Sequence, residues 1–344
     1  MKKRIDLRSD TVTEPTQEMR DTMYTAVVGD DVFGEDYTVA GLEALAAEML
    51  GKEEGLFVAS GTLGNLLAVL CHTRPGDEVM VEKKAHIYYF EGGMTAVAGV
   101  KPWITSSDKG IIRPDHLQSE MRGASGLKSN ISLVCLENTH NLWGGTVSTA
   151  QETDAVCDFA KQNGMKVHLD GARLFNAAIA LGVPAKELTR GSDSVMICLA
   201  KSLCAPVGSV LAGDADFIRK ARGWRKILGG GMRQSGILAA AGEVALRTMV
   251  DRLAEDHDNA KLLGKELNCI PGIKVDESII HTNLVYGLLD PSLATPGEFE
   301  MKLRQHDVHI FAASQTEVRF CTHKDVSRGQ ILEAVSIIKQ VFGK

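Results

Sequence analysis

Residues 166–173 read Lys-Val-His-Leu-Asp-Gly-Ala-Arg, and residues 194–201 read Ser-Val-Met-Ile-Cys-Leu-Ala-Lys. Each is a short apolar run that stops at a side chain able to do chemistry, Asp170 in the first and Lys201 in the second. Runs apolar at successive positions suit strands covered on both faces. Four similar runs lie at 56–59, 78–81, 132–136 and 209–212, with helical patterns at 63–72, 150–163 and 172–181 between them. Asn163-Gly164 and Leu181-Gly182 read as helix ends. This alternation predicts an α/β fold with a mostly parallel sheet. After about Ser235 the pattern changes. A long helix runs to Leu253, with helical character continuing to Leu267, and Pro271-Gly272 breaks it. A strand at 283–286, a helix at 296–305, strands near His309 and Val318, and a last helix at 327–342 follow. The expected organisation is a large domain over 1–243 and a smaller C-terminal α+β domain over 244–344.

Composition narrows the class. The 344 residues are 44% apolar and 24% charged, which is ordinary for a globular protein and excludes a disordered one. Lys plus Arg is 38 and Asp plus Glu is 44, for a net charge of −6. A mildly acidic chain lacks the basic surface that general nucleic-acid binding needs. No apolar run approaches the ~20 residues that span a bilayer. The first ten residues hold no apolar signal-peptide core, so a cytoplasmic chain with no membrane partner is expected. Seven cysteines at irregular spacings, with no Cys-x-x-Cys pair, support neither zinc nor a disulfide framework. They read as buried, reduced thiols, and no metal is expected.

In open α/β sheets, ligands bind beyond the carboxyl ends of the strands. Ser60-Gly-Thr62, Glu137-Asn-Thr-His-Asn141, Asp170-Gly-Ala-Arg173 and Ala200-Lys201 all follow strands. Lys201 comes after an almost wholly apolar run, where desolvation favours Schiff-base chemistry, or its head simply reaches solvent. Asp170 suits a protonated pyridine nitrogen, or it caps a helix starting near Ala172. Arg173 carries a fork that matches a substrate carboxylate. Gly61 and Thr62, at a helix start, offer an anion site, or a plain tight turn. His86 suits ring stacking or proton transfer, or it is a surface histidine. Gly229-Gly-Gly-Met-Arg-Gln234 lets backbone approach a ligand, with Arg233 available for phosphate, or it is a connector. Neither a Walker loop nor the Gly-x-Gly-x-x-Gly dinucleotide turn occurs. Each feature is weak alone. An anion-binding turn, a ring-stacking histidine, an aspartate and then a lysine about thirty residues later is the order found in pyridoxal 5'-phosphate (PLP) enzymes of the aspartate-aminotransferase fold.

The chain resembles the low-specificity L-threonine aldolases of the β-eliminating lyase group, nearly from end to end. The resemblance is carried by Ile5-Asp-Leu-Arg-Ser-Asp-Thr-Val-Thr13, Val28-Gly-Asp-Asp-Val-Phe-Gly-Glu-Asp36, Glu137-Asn-Thr-His-Asn141, His168-Leu-Asp-Gly-Ala-Arg173, Ala205-Pro-Val-Gly-Ser209 and Gly229-Gly-Gly-Met-Arg-Gln234. It implies PLP fold type I, with an N-terminal substrate-binding segment in the large domain. It implies that Lys201 bonds PLP, Asp170 meets the pyridine nitrogen, and His86 stacks on the ring and serves as candidate base. Gly61, Thr62 and Arg233 are implied to hold the phosphate, and Ser9, Arg173 and Arg319 the substrate carboxylate. The implied activity is cleavage of L-threonine and L-allo-threonine to glycine and acetaldehyde, in threonine catabolism and glycine formation. A homotetramer built from dimers, with the site at the dimer interface, is implied as well.

Three positions depart from the family pattern. Ala200 stands where serine is usual before the lysine, and Trp143 either fills space near the site or caps a loop. A second active-site histidine of many relatives has no counterpart in Gly126-Leu-Lys-Ser-Asn-Ile131, and His116 is the nearest upstream. Competing readings are a phenylserine aldolase or β-eliminating lyase acting on bulkier amino acids, a nicotinamide oxidoreductase, and an inactive homologue. The absent dinucleotide turn opposes the oxidoreductase, and the joint presence of Lys201, Asp170, Arg173 and Arg319 opposes the inactive homologue.

Overall fold

The computed structural model describes residues 4–123 and 131–343. The chain divides into two units, Pro15–Val250 and a second made of Met1–Glu14 with Asp251–Lys344.

Pro15–Val250 is built on a seven-stranded sheet. In chain order its strands are β1 (Glu54–Val58), β2 (Glu78–Glu82), β3 (Lys101–Thr105), β4 (Ile131–Glu137), β5 (Lys166–Asp170), β6 (Ser194–Cys198) and β7 (Ser209–Gly213). Their spatial order is β1-β7-β6-β5-β4-β2-β3. β2 pairs in parallel with β3 and β4, β4 with β5, and β5 with β6. β7 runs antiparallel to both β6 and β1. All five residues of β6 and of β7 are buried, as the continuous apolar runs required. β3 was not among the expected strands, because Lys-Pro-Trp-Ile-Thr alternates poorly and leaves Lys101 and Ile104 exposed. It is an edge strand, where Pro102 costs no interior ladder bond.

Register places the reactive strand ends side by side. Glu137 at the end of β4 stands opposite Asp170 at the end of β5, and Asp170 stands opposite Met196 in β6. β6 then leads through Leu199 and Ala200 to Lys201. The helix Gly61–His72 follows β1, with Ser60 Oγ accepting from the Leu63 amide as its N-cap. It lies close over β6: a Cβ on Gly64 would sit 2.7 Å from Met196 Cγ, and one on Gly61 would sit 2.9 Å from Cys198 Sγ.

The other unit holds a four-stranded antiparallel sheet, ordered Phe311–Ala312, Glu317–Cys321, Leu284–Leu289, Ile273–Lys274. Ile5–Asp6 pairs in parallel with Val308–His309. Leu7 joins Phe299, Phe320 and Ile331 in the core of this unit. These contacts explain why the division differs from the expected boundary at 243/244. Residues up to Glu14 group with the C-terminal part because their backbone pairs there and Leu7 is buried there. The expected long helix is two, Gly236–Thr248 and Leu253–Leu267. Met249 and Arg252 have ψ near −12°, which halts the helix, and the unit boundary falls between them. The cysteines are all free, but only in part buried as expected: Cys71 is half-buried and Cys269 exposed.

Arg225 is the largest fully buried side chain among the described residues. Its Nη2 donates to Asp31 Oδ2 at 2.6 Å and its Nη1 to the Phe57 carbonyl at 2.6 Å. Breaking a buried pair strands the remaining charge. Arg225→Met is therefore expected to destabilise this unit by about 3–5 kcal/mol, read as a lowered urea midpoint. A midpoint equal to wild type would show that Asp31 finds full compensation elsewhere.

Candidate active site

Asp170 ends β5 with its carboxylate almost wholly buried. A carboxylate there needs donors, since burying one unsolvated is costly. Oδ2 accepts from Asn65 Nδ2 at 2.8 Å, and Oδ1 accepts from the Ala172 amide at 3.1 Å. Oδ1 thus serves the turn at 170–172, but Asp170 does not cap the helix that follows. The helix that follows begins at Leu174, with Arg173 in the N-cap position, rather than at Ala172.

Asn65 also donates to Glu91 Oε1 at 3.0 Å. The same oxygen lies 2.8 Å from His86 Nδ1. One acceptor or donor atom each from His86, Glu91 and Asp170 falls within 4.8 Å of the others. This spacing resembles a metal triad, yet the groups are already engaged with one another and with Asn65. Burial pulls the His86 ring toward its neutral form. The hydrogen bond with Glu91 and the charges of Asp170 and Glu91 outweigh it, against a smaller opposing effect of Lys201, so the His86 pKa is raised.

His86 opens a short helix, and its backbone N–H donates to Glu137 Oε2 at 2.7 Å. Glu137 Oε1 accepts from the Asn141 amide at 2.8 Å. Asn141 Oδ1 in turn accepts from Arg173 Nη1 at 3.3 Å. One carboxylate thereby ties the His86 helix to the loop that steadies Arg173. Behind it, buried His140 lies 3.2 Å from Glu82 and 3.8 Å from Glu137. Trp143 Nε1 donates to Glu82 Oε1 at 3.2 Å, and Lys84 Nζ lies 3.9 Å from the centre of the indole ring. Trp143 thus packs in this support layer.

Lys201 is half-buried and close enough to His86 to oppose its protonation. Gly61 is the first residue of its helix and Thr62 is exposed beside it. The glycine loop approaches the same turn, since a Cβ on Gly230 would sit 2.7 Å from Leu63 Cδ2. Arg233 itself is exposed, with Nη1 donating to Asp30 Oδ2 at 2.9 Å. Ser9 and Arg319 belong to the other unit, where the structure brings them near each other. Ser9 caps the short turn Asp10–Val12, and buried Arg319 donates from Nη2 to the Arg8 carbonyl at 2.9 Å. Residues 126–130, where the second histidine of relatives would stand, lie outside the described residues.

The chain matches the β-eliminating lyase family over residues 6–287. It is 41% identical over 344 residues to low-specificity L-threonine aldolase 1 of Arabidopsis thaliana, covering 98% of this chain and 96% of that one. The chain belongs to the low-specificity L-threonine aldolases of the β-eliminating lyase family. Solved structures agree on the fold of this family. Leishmania major threonine aldolase has a TM-score of 0.84 at 22% identity, covering 98% of this chain and 99% of that one. A structure of SPT with a PLP internal aldimine has a TM-score of 0.76 at 15% identity, covering 98% and 87%. Membership settles the expected enzyme class, a carbon–carbon lyase of PLP fold type I. Of the residues that hold the aldolase's candidate residues in place, Asn65 and Glu91 were not singled out from the sequence, and Glu137 was quoted there only within the motif Glu137-Asn-Thr-His-Asn141. A lone amide inside the apolar helix run Leu63-Gly-Asn-Leu-Leu67 was the available signal for Asn65.

Removing the Glu91 charge should leave burial unopposed by its strongest partner. Glu91→Gln is therefore expected to lower the His86 pKa relative to wild type, followed by NMR titration of the imidazole. An unchanged or higher midpoint would mean that Glu91 does not set this proton.

Proposed function

We propose that the protein uses PLP to cleave β-hydroxy-α-amino acids, L-threonine and L-allo-threonine among them, between Cα and Cβ, yielding glycine and an aldehyde. The observation that carries this reading is the constellation at one sheet edge: a buried, hydrogen-bonded Asp170, His86 beside it, and Lys201 at the end of the neighbouring strand. It fits PLP. A fixed carboxylate suits the pyridine nitrogen, and the Gly61–His72 helix start offers backbone donors where any Cβ on Gly61 would press on Cys198. When bound, PLP supplies an electron sink for the pair left on Cα as the Cα–Cβ bond breaks.

The protein's own groups prepare that step. Lys201 would hold the cofactor through Nζ, and Asp170 would serve the ring nitrogen with a carboxylate that Asn65 orients. His86 would stack on the ring. Its Nδ1 is taken by Glu91, so Nε2 is the nitrogen that moves the proton of the β-hydroxyl. Gly61, Thr62 and Arg233 would hold the phosphate, Arg233 giving up its Asp30 partner to do so. Arg173 presents a guanidinium to the substrate carboxylate, a task assigned by resemblance to Ser9 and Arg319 also. Ala200 offers no hydroxyl to the phosphate.

Self-association, in the dimer-built homotetramer of the resemblance, is supported by exposed Tyr24, Phe33 and Tyr37. They are 91%, 75% and 78% exposed, large side chains left for a partner surface to cover. A cytoplasmic location is proposed on the composition. Among the described residues no helix is long and apolar enough to cross a membrane.

Supplied with PLP, the protein is expected to release glycine and acetaldehyde in equal amounts from L-threonine or L-allo-threonine, and Lys201→Ala to release neither. Product chromatography decides it. 2-Oxobutanoate and ammonia in place of glycine would move the protein to β-elimination, and bound PLP without product would move the search to phenylserine.

A further inference from the structure

Asn65 sits fully buried in the Gly61–His72 helix, and its side chain meets three groups at once. Its two N–H bonds are directed to two carboxylates, Asp170 at 2.8 Å and Glu91 at 3.0 Å. Its Oδ1 faces His168 Nε2 at 3.0 Å. On the far side of that ring, His168 Nδ1 is 2.9 Å from Ser194 Oγ, and Ser194 Oγ is 2.8 Å from His72 Nε2. His72 ends the row stacked on Phe217, ring centres 4.7 Å apart and planes 15° from parallel.

The hydrogen inventory has one consistent solution. Reversing the amide would aim its oxygen at two carboxylates, so Oδ1 must face a donor. His168 therefore carries its proton on Nε2. Burial drives the His168 pKa down to about 3 and that of His72 down to about 4, so both rings are neutral at ordinary pH. His168 Nδ1 then accepts from the Ser194 hydroxyl, whose oxygen accepts from His72 Nε2–H. Every proton in the row has an acceptor, and the row points one way, toward Asp170.

We propose that Asn65 is a positioning residue, one amide that sets both the carboxylate facing the pyridine nitrogen and the carboxylate steadying His86, with His168 fixing which way the amide points. This rests on the PLP reading above. Rotating Asp170 or Glu91 alone breaks a bond to the shared amide, so the two cofactor contacts are held in mutual register. Catalytic groups need such support, because a small loss of geometry at the reacting atoms costs far more than it does elsewhere.

The test titrates wild type and Asn65→Leu with PLP. Leucine keeps the branched outline of the side chain and removes its donors and acceptor. The variant is expected to bind PLP about tenfold or more weakly, the scale of losing hydrogen bonds to charged groups. The midpoint of the pH titration of the bound cofactor's visible absorbance is expected to move. An Asn65→Leu chain that stays folded, binds PLP as wild type does and keeps the midpoint overturns the proposal. A wild-type chain that takes up no PLP overturns the functional reading and this inference together. The second measurement needs no variant. Nitrogen NMR of the histidines in the cofactor-free wild type is expected to show His168 neutral, with its proton on Nε2, from about pH 5 to 8. A proton on Nδ1, or a titration inside that range, overturns the proposal whether or not Asn65→Leu folds.

Discussion

The carboxylate of Asp170, closed off from water at the end of β5, is the constraint the site is arranged around. Leaving such a group without donors costs several kcal/mol, more than most single contacts return. The chain meets the demand with one backbone amide in the next turn and one side-chain amide from the Gly61–His72 helix. The second donor dictates how near that helix lies to the sheet. Gly61 and Gly64 permit the approach, since a side chain at either would collide with Met196 or Cys198 on β6. Gly61, read from the sequence as part of an anion-binding turn, is thus also a spacer that lets Asn65 reach Asp170.

Topology does the rest of the positioning. β2, β4, β5 and β6 run parallel, so all four release the chain at the same edge. His86 follows β2, Asn141 follows β4, Arg173 follows β5 and Lys201 follows β6. An antiparallel strand among these four would have delivered one of the residues to the opposite edge. The antiparallel strand of this sheet is β7, inserted between β6 and β1, where the chain needs no reactive group. It supplies a buried apolar partner to both neighbours without disturbing the register of the site.

Much of this was legible beforehand because it depends on local pattern. Six of the seven sheet strands show as apolar runs, and Asp170 and Lys201 stand out because each is polar at the end of one, with Arg173 three residues past Asp170. The edge strand β3 escaped notice because a half-exposed strand with an internal proline has no apolar run. The break at 249–252 was invisible since apolar residues continue on both sides of it. The N-terminal residues were placed with the wrong unit because two paired residues and one buried leucine leave no trace in periodicity. Glu91 escaped notice for a different reason, and Glu137 stood out only as one letter of a strand-end motif. An acidic residue in a loop or at a strand end looks solvated until the fold brings a histidine or two backbone amides to it.

Glu137 shows how such support works with charge. Its two oxygens receive the amides of His86 and Asn141, so it joins the His86 helix to the loop behind Arg173. His140 lies behind it, between Glu137 and Glu82. Burial disfavours the charged ring, and the charge of Glu137 with the pairing to Glu82 more than restores it, so the His140 pKa is raised. Burial likewise works against the Glu82 carboxylate, and His140, the Lys84 amide and Trp143 overcome it, leaving its pKa lowered. The signs are opposite and so are their pH windows. The His140 contribution is complete below the unfolded histidine pKa and fades as pH rises through the raised folded value. The Glu82 contribution is complete above the unfolded carboxylate pKa and fades as pH falls through the lowered folded value. Both act together between the two unfolded values, where carboxylate and imidazolium are both charged. Above that range the layer loses the His140 charge while keeping its carboxylates. Alkali therefore loosens the support beneath His86 and Arg173 by leaving Glu82 and Glu137 without the cation they share.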